Sequence, residues 1–394
     1  MPTASAFKIT LNKDLSHLAE ALESTNSGIE VTENLDGSVG LGLTKSMEET
    51  LKIRPAGGGL VSYKARPFQV VLSMLISILW TADIPIRLIF LKSRQLGLST
   101  FLQGVMHDLT RRISGISART IAHRAPEAIK MHRMQERFYF HCPPQFRKEL
   151  KEGKVFRDRL MYTLPHDSDI AVSTAGGKSI GRSLTGQLDH WTEVAFWPDA
   201  ADTYNDLRQS IHDLPRTALF IESTANGRNF FHKIWNDAFK VQVAGKPNLW
   251  IPIFISWLED PEAWMEFASD YQKEAFVGSY SDEERSYSEK WSLEPERMQW
   301  VRATIYDKCA GSWNKFNQEY PIDPSVAFLF TGWPWFSLSV VGDMMTNIQP
   351  PAFRGDILWL ISFAGVKQIA QQFFCLAFSS STSPTVVLYL RAAS

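Results

Sequence analysis

The chain has 394 residues, a formal net charge of −1, 44% hydrophobic residues and 21% charged residues. That length holds one large domain or two, and the composition is that of a globular protein with a sizeable core. Near-neutrality excludes a molecule-wide basic field, so nucleic acid would have to be met by local patches.

Residues 1–60 are expected to form an N-terminal extension. It carries a hairpin signal over residues 33–42, where Asp36-Gly37 is the turn dipeptide, and closes on a glycine-rich junction at residues 56–59. Dense apolar residues from 68 to 80 predict a buried helix, broken by Asp83 and Pro85. Residues 86–91 (IRLIFL) read as a central parallel strand, 92–99 as a polar loop and 100–109 as a helix. Further strands are predicted at 117–122, 169–174, 217–222 and 251–255, with helices at 126–140, 200–212 and 230–240. Strands alternating with helices predict an α/β fold, a mostly parallel sheet with helices on both faces. Residues 260–320, rich in Glu, Lys, Ser and Trp, predict a helical extension, with helical spacing at 295–306. From residue 337 charges almost vanish and the chain reads as an irregular tail.

Cys142, Cys309 and Cys375 are far apart, and no Cys-x-x-Cys occurs, so a reducing cytosolic compartment without a disulfide framework is expected. The nine histidines show no zinc-ligand spacing. Residues 1–11 lack a signal-peptide core. The apolar run at 357–378 is broken by Lys367, Gln368, Gln371 and Gln372, so no membrane span is expected.

The sharpest feature is residues 92–100, KSRQLGLST, between the predicted strand and helix. A phosphate loop needs a glycine for close backbone approach, a lysine for the phosphates and a Ser or Thr for magnesium. Gly97, Ser99 and Thr100 suit those needs, but Leu98 stands where the usual lysine would be. Lys92, at the front, could curl back over the phosphates, and Arg94 could assist or act as an arginine finger. The plainer reading is an ordinary polar βα turn.

An ATPase also needs a strand-tip carboxylate to orient water, and a ligand for Mg2+. Glu193, in LDHWTEVAFW, fits the first need. Thr192 precedes it where an aspartate would stand, and would reach magnesium through a water. Asp189 is a spare carboxylate. Glu193 also reads as a surface carboxylate at a helix start. Gly176, Gly177, Gly181 and Arg182 could form a phosphate or DNA contact loop, or a plain flexible one. Ser223, Thr224 and Asn226, in ESTANG, follow a strand and could sense the γ-phosphate, or simply turn the chain into a helix. Phe68 could stack on adenine and Gln69 could bond its edge, or both could begin a helix.

In order and spacing these segments resemble the large terminase subunits of tailed bacteriophages, over residues 63–336. KSRQLGLST resembles that family's variant Walker A, GRSLTGQLDHWTEVAFWPDA its Walker B region, ESTANG its coupling motif and Phe68-Gln69 its adenine motif. IFISWLED and QEYPIDPSVAFLFTG resemble later segments, the second a linker before a nuclease domain. The resemblance implies a P-loop NTPase-like domain over residues 61–260, a helical extension and linker over 261–336, and an aberrant tail over 337–394. It implies ATP and Mg2+ as cofactors. Lys92, Arg94, Gly97, Leu98, Ser99 and Thr100 would lie at the phosphates, Ser99 and Thr192 at the metal, Glu193 at the attacking water and Ser223, Thr224 and Asn226 in coupling. The implied partners are double-stranded DNA, a small terminase subunit and the portal protein of a procapsid. A homo-oligomeric ring in the bacterial host cytoplasm is the expected assembly. With only Asp343 and Asp356 available, the nuclease of that family is expected to be missing, as in a truncated or frameshifted product. A helicase or other DNA translocase, and an inactive prophage remnant, are the alternative readings.

Overall fold

The structure, a computed structural model, describes residues 32–33, 39–148, 150–156, 158–176, 186–243 and 249–328. The tail, the adjoining end of the linker, the Asp36-Gly37 dipeptide and Gly177, Gly181 and Arg182 lie outside the described residues, as does any nuclease sequence.

The principal strands are β1 (Ile86–Lys92), β2 (Ser117–Ala122), β3 (Leu150–Phe156), β4 (Arg159–Tyr162), β5 (Asp169–Thr174), β6 (Leu188–Thr192), β7 (Ala218–Ser223) and β8 (Ile251–Ile255). They form one eight-stranded sheet in the order β8-β1-β7-β6-β2-β5-β4-β3. Every pairing from β8 to β5 is parallel, and β4 pairs antiparallel with both β5 and β3. The expected mostly parallel α/β sheet is therefore present. Its central strands are nearly continuous apolar runs because helices cover both faces: β1 and β7 are buried along their whole lengths.

The alternation of side chains across each strand divides the core in two. On one face Leu88, Phe90, Phe220 and Ile253 meet helices α1 (Leu43–Thr50), α2 (Pro67–Thr81), α3 (Leu98–Arg112) and α4 (Ala125–His141) through Met47, Leu72, Phe101 and Met131. On the other, Ile89, Leu91, Trp191, Leu219 and Ile221 meet α5 (Ala200–Arg208) and α6 (Phe230–Val243) through Leu207, Phe231 and Trp235. Residues from 257 onward build a third cluster. There α7 (Asp270–Gly278), α8 (Asp282–Trp291), α9 (Pro295–Lys308), α10 (Trp313–Glu319) and α11 (Pro324–Ala327) supply a helical extension, with Met298, Val301 and Phe316 packed around Trp257. Among the described residues no helix is long and apolar enough to cross a membrane.

Two details add to the sequence reading. Residues 56–59, read as a flexible junction, connect the antiparallel pair Lys52–Ile53 and Val61–Ser62. Leu41, Leu43, Met47 and Leu51 belong to the same buried cluster as α2 and α3, so the sheet core begins well before residue 61. Thr32–Glu33 and Val39–Gly40 do pair antiparallel, in the hairpin region read from the sequence.

Candidate functional site

In a parallel sheet all C-terminal strand ends point one way, and ligands collect where connections from neighbouring strands diverge. The tips of β1, β7 and β6 are consecutive in this sheet. After β1, Gln95 and Gly97 take left-handed backbone conformations (φ 62° and 75°), and Gly97 caps α3. Phe101 N–H is bonded to Gly97 O at 3.0 Å, which leaves the amides of Leu98, Ser99 and Thr100 ahead of the intrahelical ladder. Those amides and the positive end of the helix dipole make an anion seat.

Lys92 does not lie in the loop; it is the last residue of β1 and only 8% of its side chain is exposed. Its Nζ donates to Glu193 Oε1 at 3.0 Å and sits 3.8 Å from Glu222 Oε2. Burial alone would lower the lysine pKa, but the Glu193 and Glu222 carboxylates outweigh it and raise it. Glu193 stands just past the tip of β6 with φ 54°. Its Oε2 faces the Ser223 hydroxyl at 3.5 Å and the Thr224 amide at 3.4 Å. Three separate sequence segments thus meet around one carboxylate. Ser223 Oγ also accepts from Ala195 N at 3.1 Å, and Asn226 Nδ2 donates to Ala195 O at 3.1 Å, so the end of β7 and the segment after it clamp the turn that carries Glu193.

Other predicted residues are engaged within the protein. Phe68, expected at adenine, is fully buried in the core. Gln69 is committed to the protein: its Oε1 accepts from Tyr63 Oη (2.8 Å) and Arg66 N (3.0 Å), and its Nε2 donates to Gly97 O (3.2 Å). It braces the loop from behind. The Leu98 side chain is buried with the core, leaving only its amide to the loop. Arg94 pairs through Nε with Glu319, at the end of α10, and its backbone N–H donates to Glu319 O at 3.0 Å. The guanidinium is therefore drawn to the helical extension. Asp189 is no spare carboxylate: it is fully buried and held by Arg119 Nε at 2.9 Å and Nη2 at 3.1 Å.

Sequence reasoning missed Glu222, His190 and Gln103. Glu222 is fully buried; desolvation would raise its pKa, but the Lys92 charge, the His190 hydrogen bond and the Ser99 hydroxyl bring it down to about 2. His190 Nε2 donates to Glu222 Oε1 at 3.0 Å, and its Nδ1 accepts from Gln103 Nε2 at 2.7 Å. Each is a polar residue inside an apolar strand or helix face, the one signal that would have exposed them. Thr192, expected near the metal, is buried on β6 in register with Glu222.

No family model matches the chain, and no curated protein does. Among solved structures it is similar to the large terminase of bacteriophage HK97, with 16% identity and a TM-score of 0.44 over 66% of this chain and 55% of that one. The ATPase domain of the large terminase of Thermus phage P74-26 matches at 16% identity and a TM-score of 0.42, over 68% of this chain and 95% of that one. The large terminase of another thermophilic bacteriophage, in complex with ADP, matches at 11% identity and a TM-score of 0.37, over 55% of this chain and 50% of that one. The chain thus spans about half the length of the HK97 protein, and its structural similarity is to phage large terminases.

Proposed function

We propose that the chain is a motor ATPase of the terminase kind, which hydrolyses ATP to drive double-stranded DNA into a procapsid. The observation that supports this most is the meeting of Lys92, Glu193, Ser223 and Thr224 beside the amino end of α3. An anion seat, a buried lysine and a strand-tip carboxylate are three of the parts that phosphoryl transfer to water uses, beside a divalent metal.

The residues fit Mg-ATP. The left-handed turns at Gln95 and Gly97 and the amides of Leu98, Ser99 and Thr100 form a cradle for phosphate oxygens, and Ser99 adds a hydroxyl for the cation. Mg2+ supplies charge neutralisation between the phosphates when bound. Lys92 brings a fixed positive charge, kept protonated by its two carboxylate neighbours. Glu193 orients the attacking water and takes up its proton at a carboxylate oxygen. Ser223 and Thr224, bonded to that same carboxylate, relay its movement into β7 and the turn at Ala195. DNA, a small terminase subunit, the portal and a homo-oligomeric ring follow from the sequence resemblance and belong to this proposal, as does action in the host cytoplasm.

The test is phosphate release from Mg-ATP by the purified chain, alone and with linear duplex DNA and empty procapsids. Turnover that rises with duplex and procapsid together is the expected result. Turnover that responds to forked DNA and not to procapsids would replace the reading with a helicase. No turnover by folded protein under any condition would leave a remnant without activity.

A further inference from the structure

Resting on that nucleotide-site reading, the structure assigns Glu222, on β7, as the carboxylate that completes the divalent-cation site with Ser99, in place of the residue at position 192. Thr192 stands where β6 would carry an acidic ligand, and its hydroxyl is a weak substitute for a carboxylate toward a hard cation. Its lateral partner in the sheet is Glu222. Paired residues of adjacent strands leave the sheet on the same face, so the carboxylate has moved sideways by one strand, not onto another surface. That strand lies between β6 and β1, nearer the phosphate loop.

The two oxygens of Glu222 are in different situations. Oε1 is anchored by His190 Nε2 at 3.0 Å. The imidazole is fixed in turn by Gln103, whose Nε2 lies 2.7 Å from His190 Nδ1 and donates to Thr120 Oγ1 at 2.8 Å. Gln103 Oε1 accepts from Gln135 Nε2 at 2.7 Å. This buried chain sets both the tautomer of His190 and the angle of the carboxylate. Oε2 is buried and has no hydrogen-bond partner. Lys92 Nζ forms an ion pair with it at 3.8 Å, longer than a hydrogen bond, and the Ser99 hydroxyl adjoins the same carboxyl group. A rigidly held, fully buried carboxylate whose second oxygen accepts no hydrogen bond, and faces the Lys92 ammonium and Ser99, is placed to take a cation that arrives with phosphate.

Among the described residues no group of three His, Cys, Asp or Glu gathers to hold a resident metal. A site of one carboxylate and one hydroxyl is complete only with phosphate oxygens and water, which is how Mg2+ is commonly held. The cation would therefore arrive with the nucleotide.

The experiment is equilibrium binding of a fluorescent ADP analogue to the full chain, with Mg2+ and with EDTA. It is run on wild type, Glu222→Gln, Thr192→Ala and the double variant Thr192→Asp/Glu222→Gln, each checked for folding by thermal melting. The expected result is a Mg2+-dependent gain in affinity that falls by at least about tenfold in Glu222→Gln, survives in Thr192→Ala and returns in the double variant. Mn2+ bound with ADP, read by electron paramagnetic resonance, should follow the same pattern. A Glu222→Gln protein that keeps the wild-type Mg2+ effect overturns this inference while leaving the nucleotide site intact. Wild-type protein that binds no nucleotide overturns both.

Discussion

Lys92 and Glu193 are 101 residues apart in sequence and 3.0 Å apart in space, and the contrast between them and their polar neighbours separates site from scaffold. Arg87, Arg119 and Asp189 are as deeply buried as Lys92, but each is closed off by partners: Arg87 by Asp213 and backbone carbonyls, Arg119 by Asp189. Glu193 is a quarter exposed at the strand tips, where a ligand can reach it. His107 lies farther along α3, with Nδ1 2.9 Å from Gln135 Oε1, and burial lowers its pKa from 6.5 to about 4. A group whose folded pKa is depressed adds stability that is present above the unfolded value and lost as pH falls through the folded one. The melting temperature should therefore decline between pH 6.5 and 4, and His107→Gln should flatten that limb. A decline of unchanged size in the variant would assign it to other groups.

Among the elements, β6 shows how much one pair can matter. Asp189 is clamped between Arg119 and the indole of Trp191, whose Nε1 lies 3.4 Å from Asp189 Oδ1. A methyl group added at Gly186 would meet Asp189 Oδ2 at 2.6 Å and Arg119 Nε at 2.7 Å, so the chain entering β6 has no slack. Arg119→Met would leave a fully buried carboxylate uncompensated and should destabilise the protein by about 3–5 kcal/mol in denaturant unfolding. A loss under about 1 kcal/mol would mean that Asp189 simply takes up a proton. Arg94 offers the opposite case. Half of its side chain is exposed, so solvent screens its pair with Glu319, and Glu319→Ala should cost no more than about 1 kcal/mol. The extension stays docked on the loop through Arg94 N to Glu319 O and Ser93 Oγ to Pro321 O, at 3.0 and 3.1 Å. A collapse of the melting transition in that variant would show the ion pair to be the main attachment.

For the whole molecule, the layered α/β plan was legible because buried parallel strands and their covering helices differ in length and period. IRLIFL, SARTIA, DIAVST and IPIFI stood out for that reason, and each lies within a strand of the sheet. The antiparallel edge was not legible, since LKEGKVF breaks its apolar residues with two lysines, a glutamate and a glycine, and RLMY is only four residues long. The site was half legible. Loop, strand-tip glutamate and the ESTANG segment could be found from turn chemistry and order. The pairing of Lys92 with Glu222, the inward turn of Phe68 and the capture of Arg94 by Glu319 depend on which strands and helices become neighbours, which no local pattern encodes. The same tertiary arrangement carries the central claim, that the tips of β1, β6 and β7 form one ATP-hydrolysing centre with Glu193 as its base. The most direct measurement compares ATP binding and ATP turnover in wild type and Glu193→Gln. Glu193→Gln is expected to bind Mg-ATP still while its turnover falls by about 10²–10⁴-fold. Equal turnover in the two proteins would contradict it.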